Sequence, residues 1–356
     1  MESSVPSSSA VEEEEEGGTV DDARKLNSGD EGEEEQVMSE VHLGCPPGFS
    51  GPYISDFTVF LPQDTIMGWK TQDEAIASQT VDLDEDGDLL LPRRSKVSND
   101  ICSLRIQHNI TSSIPNVGLQ VWSAELVLSD FMLHKLASSS EFHGAIALEL
   151  GAGTGLVGLL LARYANTVFL TDHGNEILGN CAENVNLNAG LLNCQAAIQV
   201  RELDWFNGWP PEPIIEEASL SRGFCWTLKE IEEAENASLL LAADVIYSDN
   251  LTDAFFSTLE RLMSRGSRKV LYLALEKRYN FSLSDLDVVA NGYSHFRSYV
   301  KDEDEMKCLD SKSMPCFVGK LIDITQIPQY VKEYERGLEV EIWEIKYYPP
   351  EAIMAE

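Results

Sequence analysis

The sequence predicts an α/β protein built on a mostly parallel sheet, and three observations carry that prediction. From Gly118 onward, short β-suitable apolar runs alternate with helical apolar stripes. One run, residues 145–150, feeds directly into the glycine-spaced loop Gly151-Ala152-Gly153-Thr154-Gly155. Acidic residues also stand where successive strands end, at Glu149, Asp172, Asp204 and Asp244. In an open α/β sheet a ligand lies outside the carboxyl ends of the strands, so these four acids mark one candidate site.

Ahead of that unit, residues 41–117 read as a β-rich extension. Its pieces at 49–61 and 89–110 are broken by Pro and Gly, and Ile101, Leu104 and Ile106 alternate imperfectly. Residues 82–88 are a charged loop without the final glutamate or flanking helices of an EF-hand. The domain proper spans 118–356. Ser123 is suited to cap a helix running to about Leu136, with Ala124, Val127, Leu128 and Phe131 as its apolar stripe. Residues 145–150 form the first central strand, and the helix after the glycine loop runs to about Tyr164. The second strand, 168–171, ends at Asp172, and a helix from Glu176 to Asn188 stops at Gly190. The third strand, 197–203, ends at Asp204-Trp205. Residues 239–243 are the fourth strand, a helix over 250–265 closes at Gly266, and 269–275 are the fifth strand. Residues 296–300 read as the sixth and 338–347 as the last. Two stretches interrupt the alternation and read as insertions: 206–237, with three early prolines, and 301–337, which opens on a charge run.

The 356 residues include 60 Asp and Glu against 26 Lys and Arg, a formal charge of −34. Residues 1–40 hold 14 acids and 2 bases and almost no large apolar side chains. Such a segment buries too little surface to offset ordering entropy, so it is predicted to be a disordered tail. The rest of the chain is acidic as well. Phosphate recognition depends on Lys and Arg, which argues against a nucleic-acid partner. A basic polypeptide would be steered towards such a surface, although the same acidity also serves plain solubility. The start of the chain shows no secretory pattern, and no apolar run approaches a membrane span, so the protein is expected to be intracellular. Seven cysteines, odd in number and without a C-x-x-C pair, read as free thiols in a reducing compartment and offer no metal site.

The glycine loop decides the chemistry. Glycines serve where the chain takes a positive φ or where a ligand must approach the backbone closely. A dinucleotide fingerprint counted from Gly151 fails, because its sixth position is Leu156. Counted from Gly153, the positions Gly153, Gly155 and Gly158 match, but the loop is then two residues too long. Glu149, just before the turn, suits a ligand carrying an ammonium and a sulfonium better than a pyrophosphate. The loop therefore reads as a cradle for S-adenosyl-L-methionine. Asp172, 21 residues after Gly151, is placed to chelate ribose hydroxyls. The Trp205 indole can lie along an adenine while the neighbouring Asp204 reads its edge. Asp244-Val245-Ile246-Tyr247 lacks the two prolines of an amino-adenine acceptor motif, which argues against base amines as acceptors.

Four motifs in order, Val121-Trp122-Ser123-Ala124, Glu149-Leu150-Gly151-Ala152-Gly153, Thr171-Asp172 with Leu203-Asp204-Trp205, and Ala243-Asp244-Val245-Ile246-Tyr247, resemble the seven-β-strand protein methyltransferases of the methyltransferase-like 21 group. The resemblance covers roughly residues 100 to 348. It implies a Rossmann-like seven-strand sheet with an antiparallel last strand and helices on both faces, acting on lysine side chains of a protein substrate. It also implies roles: Trp122 packs beside the cofactor, Gly151, Ala152, Gly153 and Gly155 form the cofactor loop, Asp172 takes the ribose and Trp205 the adenine. Ala243 touches the cofactor, and Asp244 and Tyr247 stand at the mouth of the acceptor channel as the catalytic pair. The family tilts the location towards the nucleus, with the cytoplasm open, and a monomer is expected. A small-molecule methyltransferase, a cofactor-binding pseudoenzyme acting as a scaffold, and an NAD-dependent oxidoreductase remain competing readings of the residues alone.

Overall fold

The computed structural model describes residues 36–41, 43–44, 49, 51–61, 101–191, 196–214, 223–282, 287–302, 304–305 and 317–349. The expected tail up to residue 35 and the charged loop 82–88 lie outside them. Residues 36–40, assigned above to the tail, are structured: β1 (Gln36–Met38) pairs with a short later strand. The extension continues with β2 (Tyr53–Phe60) and β3 (Ile101–His108), an antiparallel pair in register from Tyr53 opposite His108 to Phe60 opposite Ile101. β4 (Thr111–Ser113) is the partner of β1, and a 3-10 turn, Ile114–Leu119, leads into the domain.

Helix α1 (Ser123–Ser138) differs from the amphipathic helix expected, because it is buried on nearly every side. Ala124, Val127 and Leu128 face the main core, while Leu126 and Leu133 join Phe57, Val59, Leu104 and Ile106 of the extension. A helix covered on both faces must be apolar all round. Ser123 is not its cap but its first residue. Glu40 takes that role from outside, its Oε1 accepting the Ser123 N–H at 2.9 Å.

The sheet is then assembled from β5 (Ile146–Leu150), α2 (Leu156–Leu161), β6 (Thr167–Asp172), α3 (Asn175–Leu187) and β7 (Ala197–Glu202) on one side. On the other come α4 (Leu228–Glu235), β8 (Leu239–Ala243), α5 (Asp249–Met263) and β9 (Val270–Glu276). A small hairpin, β10 (Asn280–Ser282) with β11 (Asp287–Val289), precedes α6 (Asn291–Tyr299), β12 (Val300–Lys301), β13 (Phe317–Ile322) and β14 (Val340–Tyr347). The strand order is β12-β13-β14-β9-β8-β5-β6-β7. β5 to β9 are mutually parallel where they pair, and β14 runs antiparallel to both β9 and β13. This is the expected Rossmann-like sheet with an antiparallel last strand. Seven strands form its body, and the two-residue β12 is an eighth at its edge.

Three expectations shift. Residues 296–299 are the end of a helix rather than a strand, with only Val300 entering β12, because Phe296 and Tyr299 recur at helical spacing and pack on α5. Tyr299 stacks on Phe256 at 4.4 Å, and both His295 and Tyr299 reach Asp253. The sixth strand is instead β13, which lies inside the stretch read as a second insertion. In the first such stretch, α4 is the crossover helix between β7 and β8, opened by a capping box between Thr227 and Glu230. Trp209 and Trp226 beside it are core residues, Trp226 stacking on Phe169 at 5.3 Å and donating Nε1–H to the Glu202 carbonyl. Gly190 lies past the cap residue Asn188, without a positive φ.

Among the described residues no helix is long and apolar enough to cross a membrane.

Candidate active site

A cavity of about 280 Å³ opens at the carboxyl ends of β5, β6, β7 and β8. Trp122, Glu149, Gly151, Ala152, Gly153, Asp172, Asp204, Trp205, Ala243, Asp244 and Tyr247 all line it. Gly155 does not. It sits behind the loop as the cap residue of α2, at φ 80°, where an added Cβ would meet Cys181 Sγ at 2.9 Å.

The loop works as a cradle because no side chain could occupy it. At Gly151, φ is 69° and a Cβ would lie 2.7 Å from Val245 Cγ1. At Gly153, φ is 50° and a Cβ would lie 2.9 Å from the Gly118 carbonyl. Asp172 holds the loop from the next strand, its Oδ2 accepting the Gly153 N–H at 2.8 Å and its Oδ1 that of His173 at 2.7 Å. Glu149 reaches past the loop to accept the Gly158 N–H at 2.9 Å, in the first turn of α2. Asp204 accepts from the Phe206 N–H at 3.0 Å and from Asn207 Nδ2 at 2.8 Å, which fixes the turn that presents Trp205. The Trp205 ring meets Phe255 edge-on at 5.0 Å, and its Nε1–H is buried without a partner.

A residue that sequence reasoning missed completes the floor. Glu125, on the first turn of α1 and 6 % exposed, accepts from Thr154 Oγ1 at 2.8 Å and from the Leu156 N–H at 3.2 Å. A glutamate in a first turn ordinarily reads as a partner of the helix dipole in solvent. Its only sequence signal was its position within an otherwise apolar helix. Burial pushes its carboxyl up to about 7, with the Asp244 charge adding to the effect. Burial, and then the charge of Glu125, pushes Glu149 well above the ordinary range. Asp172 is raised by burial too. Among the described residues neither lysine nor arginine lines the cavity, and Glu125, Glu149, Asp172, Asp204 and Asp244 are its acids, set among apolar side chains and glycines.

At the mouth, Asp244 is held at φ 57°, the left-handed region that a non-glycine residue enters at a cost of about 1–3 kcal/mol. Its N–H donates to the Ala274 carbonyl at 2.9 Å, and the buried Val245 and Ile246 anchor the chain beyond it. Its Oδ2 is paired with Arg278, while its Oδ1 is buried with no partner. Burial raises the Asp244 carboxyl against the opposing pull of Arg278. The Arg278 guanidinium lies 4.9 Å over the Trp122 ring, and Trp122 Nε1 donates to the Val117 carbonyl at 3.1 Å. Nothing in the sequence marked Arg278. Tyr247 is exposed at the rim, and burial of its hydroxyl end together with the Asp172 and Asp244 charges pushes it up to about 12.

These features fit S-adenosylmethionine: a side-chain-free cradle, acids for an ammonium and two hydroxyls, and an unpartnered indole N–H beside the strand that would carry the adenine. Among the described residues no group of three or more His, Cys, Asp or Glu is arranged to hold a metal ion.

Comparison with known proteins agrees with this chemistry. A family model described as lysine methyltransferase matches residues 98–290. Methyltransferase-like protein 22 from Homo sapiens is 33% identical over 337 residues, covering 85% of this chain and 78% of its own length. Its Mus musculus counterpart is 32% identical over 306 residues, covering 76% and 74%. The Mus musculus protein-lysine methyltransferase METTL21E is 30% identical over 153 residues, covering 43% and 54%. The chain therefore belongs to the lysine methyltransferase family and is an S-adenosylmethionine-dependent protein-lysine methyltransferase.

Proposed function

We propose that the cofactor lies along the ends of β5, β6 and β7, and that a substrate lysine enters between Asp244 and Tyr247. When bound, S-adenosylmethionine would supply an electrophilic methyl group on its sulfonium: the neutral lysine nitrogen would form the N–C bond in line as the C–S bond breaks, with S-adenosylhomocysteine leaving as the neutral thioether. The observation that carries the acceptor assignment is Asp244, which lines the cavity with one carboxylate oxygen on Arg278 and the other buried and unpartnered. An unsatisfied buried acceptor costs about 1–3 kcal/mol, so an entering N–H that fills it is favoured.

The remaining residues divide by chemistry. Gly151, Ala152 and Gly153 offer backbone to the methionine part, and the buried Glu149 and Glu125 carboxyls, raised by burial, are drawn towards ionisation by its cationic groups when it binds. Asp172 faces the ribose hydroxyls, Trp205 the adenine plane and Asp204 its edge, while Trp122 and Ala243 wall the reacting centre. Gly155 supports the cradle from behind.

The acceptor must reach the site as a neutral amine. From a reference pKa of about 10.4, deprotonation at pH 7 costs about 4.6 kcal/mol. Desolvation against Tyr247 and Trp122 lowers that cost. Before the proton leaves, a cation–π contact worth about 1–2 kcal/mol can hold the ammonium. Positioning supplies much of the remaining rate. The anionic cavity and the chain's charge of −34 favour a lysine in a basic segment over any nucleic-acid partner. Family resemblance supports action in the nucleus, with the cytoplasm open, and the protein is taken to act as a monomer.

The test is Asp244→Ala. Tritiated-methyl transfer into extract proteins is expected to be abolished while S-adenosylhomocysteine binding, read by thermal shift, stays near wild type. Full turnover by the variant overturns the assignment.

A further inference from the structure

We infer that Arg278 is a positioning residue that sets the charge the acceptor nitrogen meets, turning Asp244 from a counter-ion into a hydrogen-bond acceptor. The inference rests on the reading of Asp244 given above and extends it.

A lone carboxylate at an acceptor seat has two opposed effects. It attracts the incoming ammonium, but an opposite charge within about 4–6 Å also favours the protonated form, which cannot attack. Arg278 resolves the conflict through geometry. It arrives from the loop after β9 and pairs with Asp244 Oδ2, while Oδ1 is buried without a well-formed hydrogen bond and the Glu276 N–H is the backbone donor acting on the carboxylate. Its other side is seated on the Trp122 ring at 4.9 Å, so it bridges the end of β8 and the start of α1. A guanidinium can form an ion pair through its edge and stack through its face at once, and it stays charged throughout the working range. A lysine does only part of this. The pair as a unit carries little net charge, yet Oδ1 still accepts a hydrogen bond that aligns the amine.

The surroundings make that cation matter. Glu40 from the extension, Glu125 from α1 and Glu276 at the end of β9 all act on the Asp244–Arg278 neighbourhood, and Tyr247 stays neutral. Without Arg278, the Asp244 charge stands unopposed among those acids, and an acceptor nitrogen meets more negative surroundings.

The experiment compares wild type, Arg278→Met, Arg278→Lys and Asp244→Ala. The acceptor is the protein band that wild type labels from tritiated S-adenosylmethionine in a desalted extract, purified and supplied at saturation. kcat is followed from pH 6 to 10, and thermal shift with S-adenosylhomocysteine reports the fold and the cofactor pocket. Arg278→Met is expected to move the rising limb of the kcat profile upward by about one pH unit or more, a roughly tenfold loss near pH 7 that recovers at high pH. Arg278→Lys is expected to keep the limb near its wild-type position. A loss of the same factor at every pH in Arg278→Met, with the cofactor shift intact, overturns the inference and leaves a merely structural residue. Full turnover by Asp244→Ala, or no labelled band from wild type, overturns the underlying reading instead.

Discussion

Replacing Glu125 with glutamine should stabilise the protein, and only above a defined pH. The carboxyl is buried, and its burial raises it from 4.5 to about 7. Between those values the folded state holds a proton that the unfolded chain has released. Stability contributed at this position is therefore full below about pH 4.5 and is lost as pH rises through about 7. At 1.36 kcal/mol per unit, the loss is on the order of 3 kcal/mol. Glutamine keeps an Oε1 that accepts from Thr154 Oγ1 and the Leu156 N–H but cannot ionise. Asp172 titrates alike in both proteins, whereas Glu149 and Asp244 repel an ionised Glu125, so the glutamine also relieves that repulsion and adds to the gain at high pH. At pH 8 the variant should melt higher by up to roughly 4–6 °C, converging with wild type near pH 5. Differential scanning calorimetry across that range is the assay. An offset that is the same at pH 5 and pH 8, or a variant less stable at pH 8, refutes the assignment of a costly buried charge.

Asp130 is fully buried and accepts the Tyr330 and Val331 N–H groups, the Tyr334 hydroxyl and Arg336, so Asp130→Ala strands a half-buried guanidinium. A loss of about 3–5 kcal/mol is expected by urea titration, with cleavage of the 323–337 segment by protease at low dose. Asn184→Ala removes bonds to β3 and to the Thr154 carbonyl together, and should cost about 1–3 kcal/mol of stability while weakening S-adenosylmethionine binding in calorimetry. Unchanged affinity would separate the extension from the cofactor loop.

What the sequence disclosed about this fold was mainly local. The carboxyl ends of four strands could be placed because each apolar run stops at a single acid, and those acids do converge on one cavity. The helix at 291–299 was misread because Phe296 and Val300 satisfy a short β pattern while the packing of Phe296 on Phe256 is tertiary. Glu125 and Arg278 were invisible for the same reason. A charged residue near a helix start, or after a strand, has an ordinary solvated reading, and only three-dimensional neighbours show that it is buried or paired. The insertions misled differently: Trp209 and Trp226 lie in a stretch whose prolines signal loops, yet they fill the space between β6 and α4.

The extension is part of the site rather than an addition to it, and the asparagines of α3 show why. Asn180, Asn184 and Asn188 recur every four residues and so share one helix face. They meet the free edge of β3: Asn184 and Asn188 each pair with a backbone N–H and C=O, at Gln107 and Arg105, and Asn180 bonds both Gln107 groups it can reach. An open strand edge invites association with other chains, and here amide side chains complete the ladder that a further strand would have made. Asn184 then extends the contact to the Thr154 carbonyl in the cofactor loop at 3.0 Å. On the opposite flank, Glu40 accepts from the first N–H of α1, the helix that carries Glu125 beneath the same loop and begins beside Trp122. Loosening the extension thus loosens both supports of the cradle. Its removal should be felt first as lost cofactor affinity, before the sheet itself gives way.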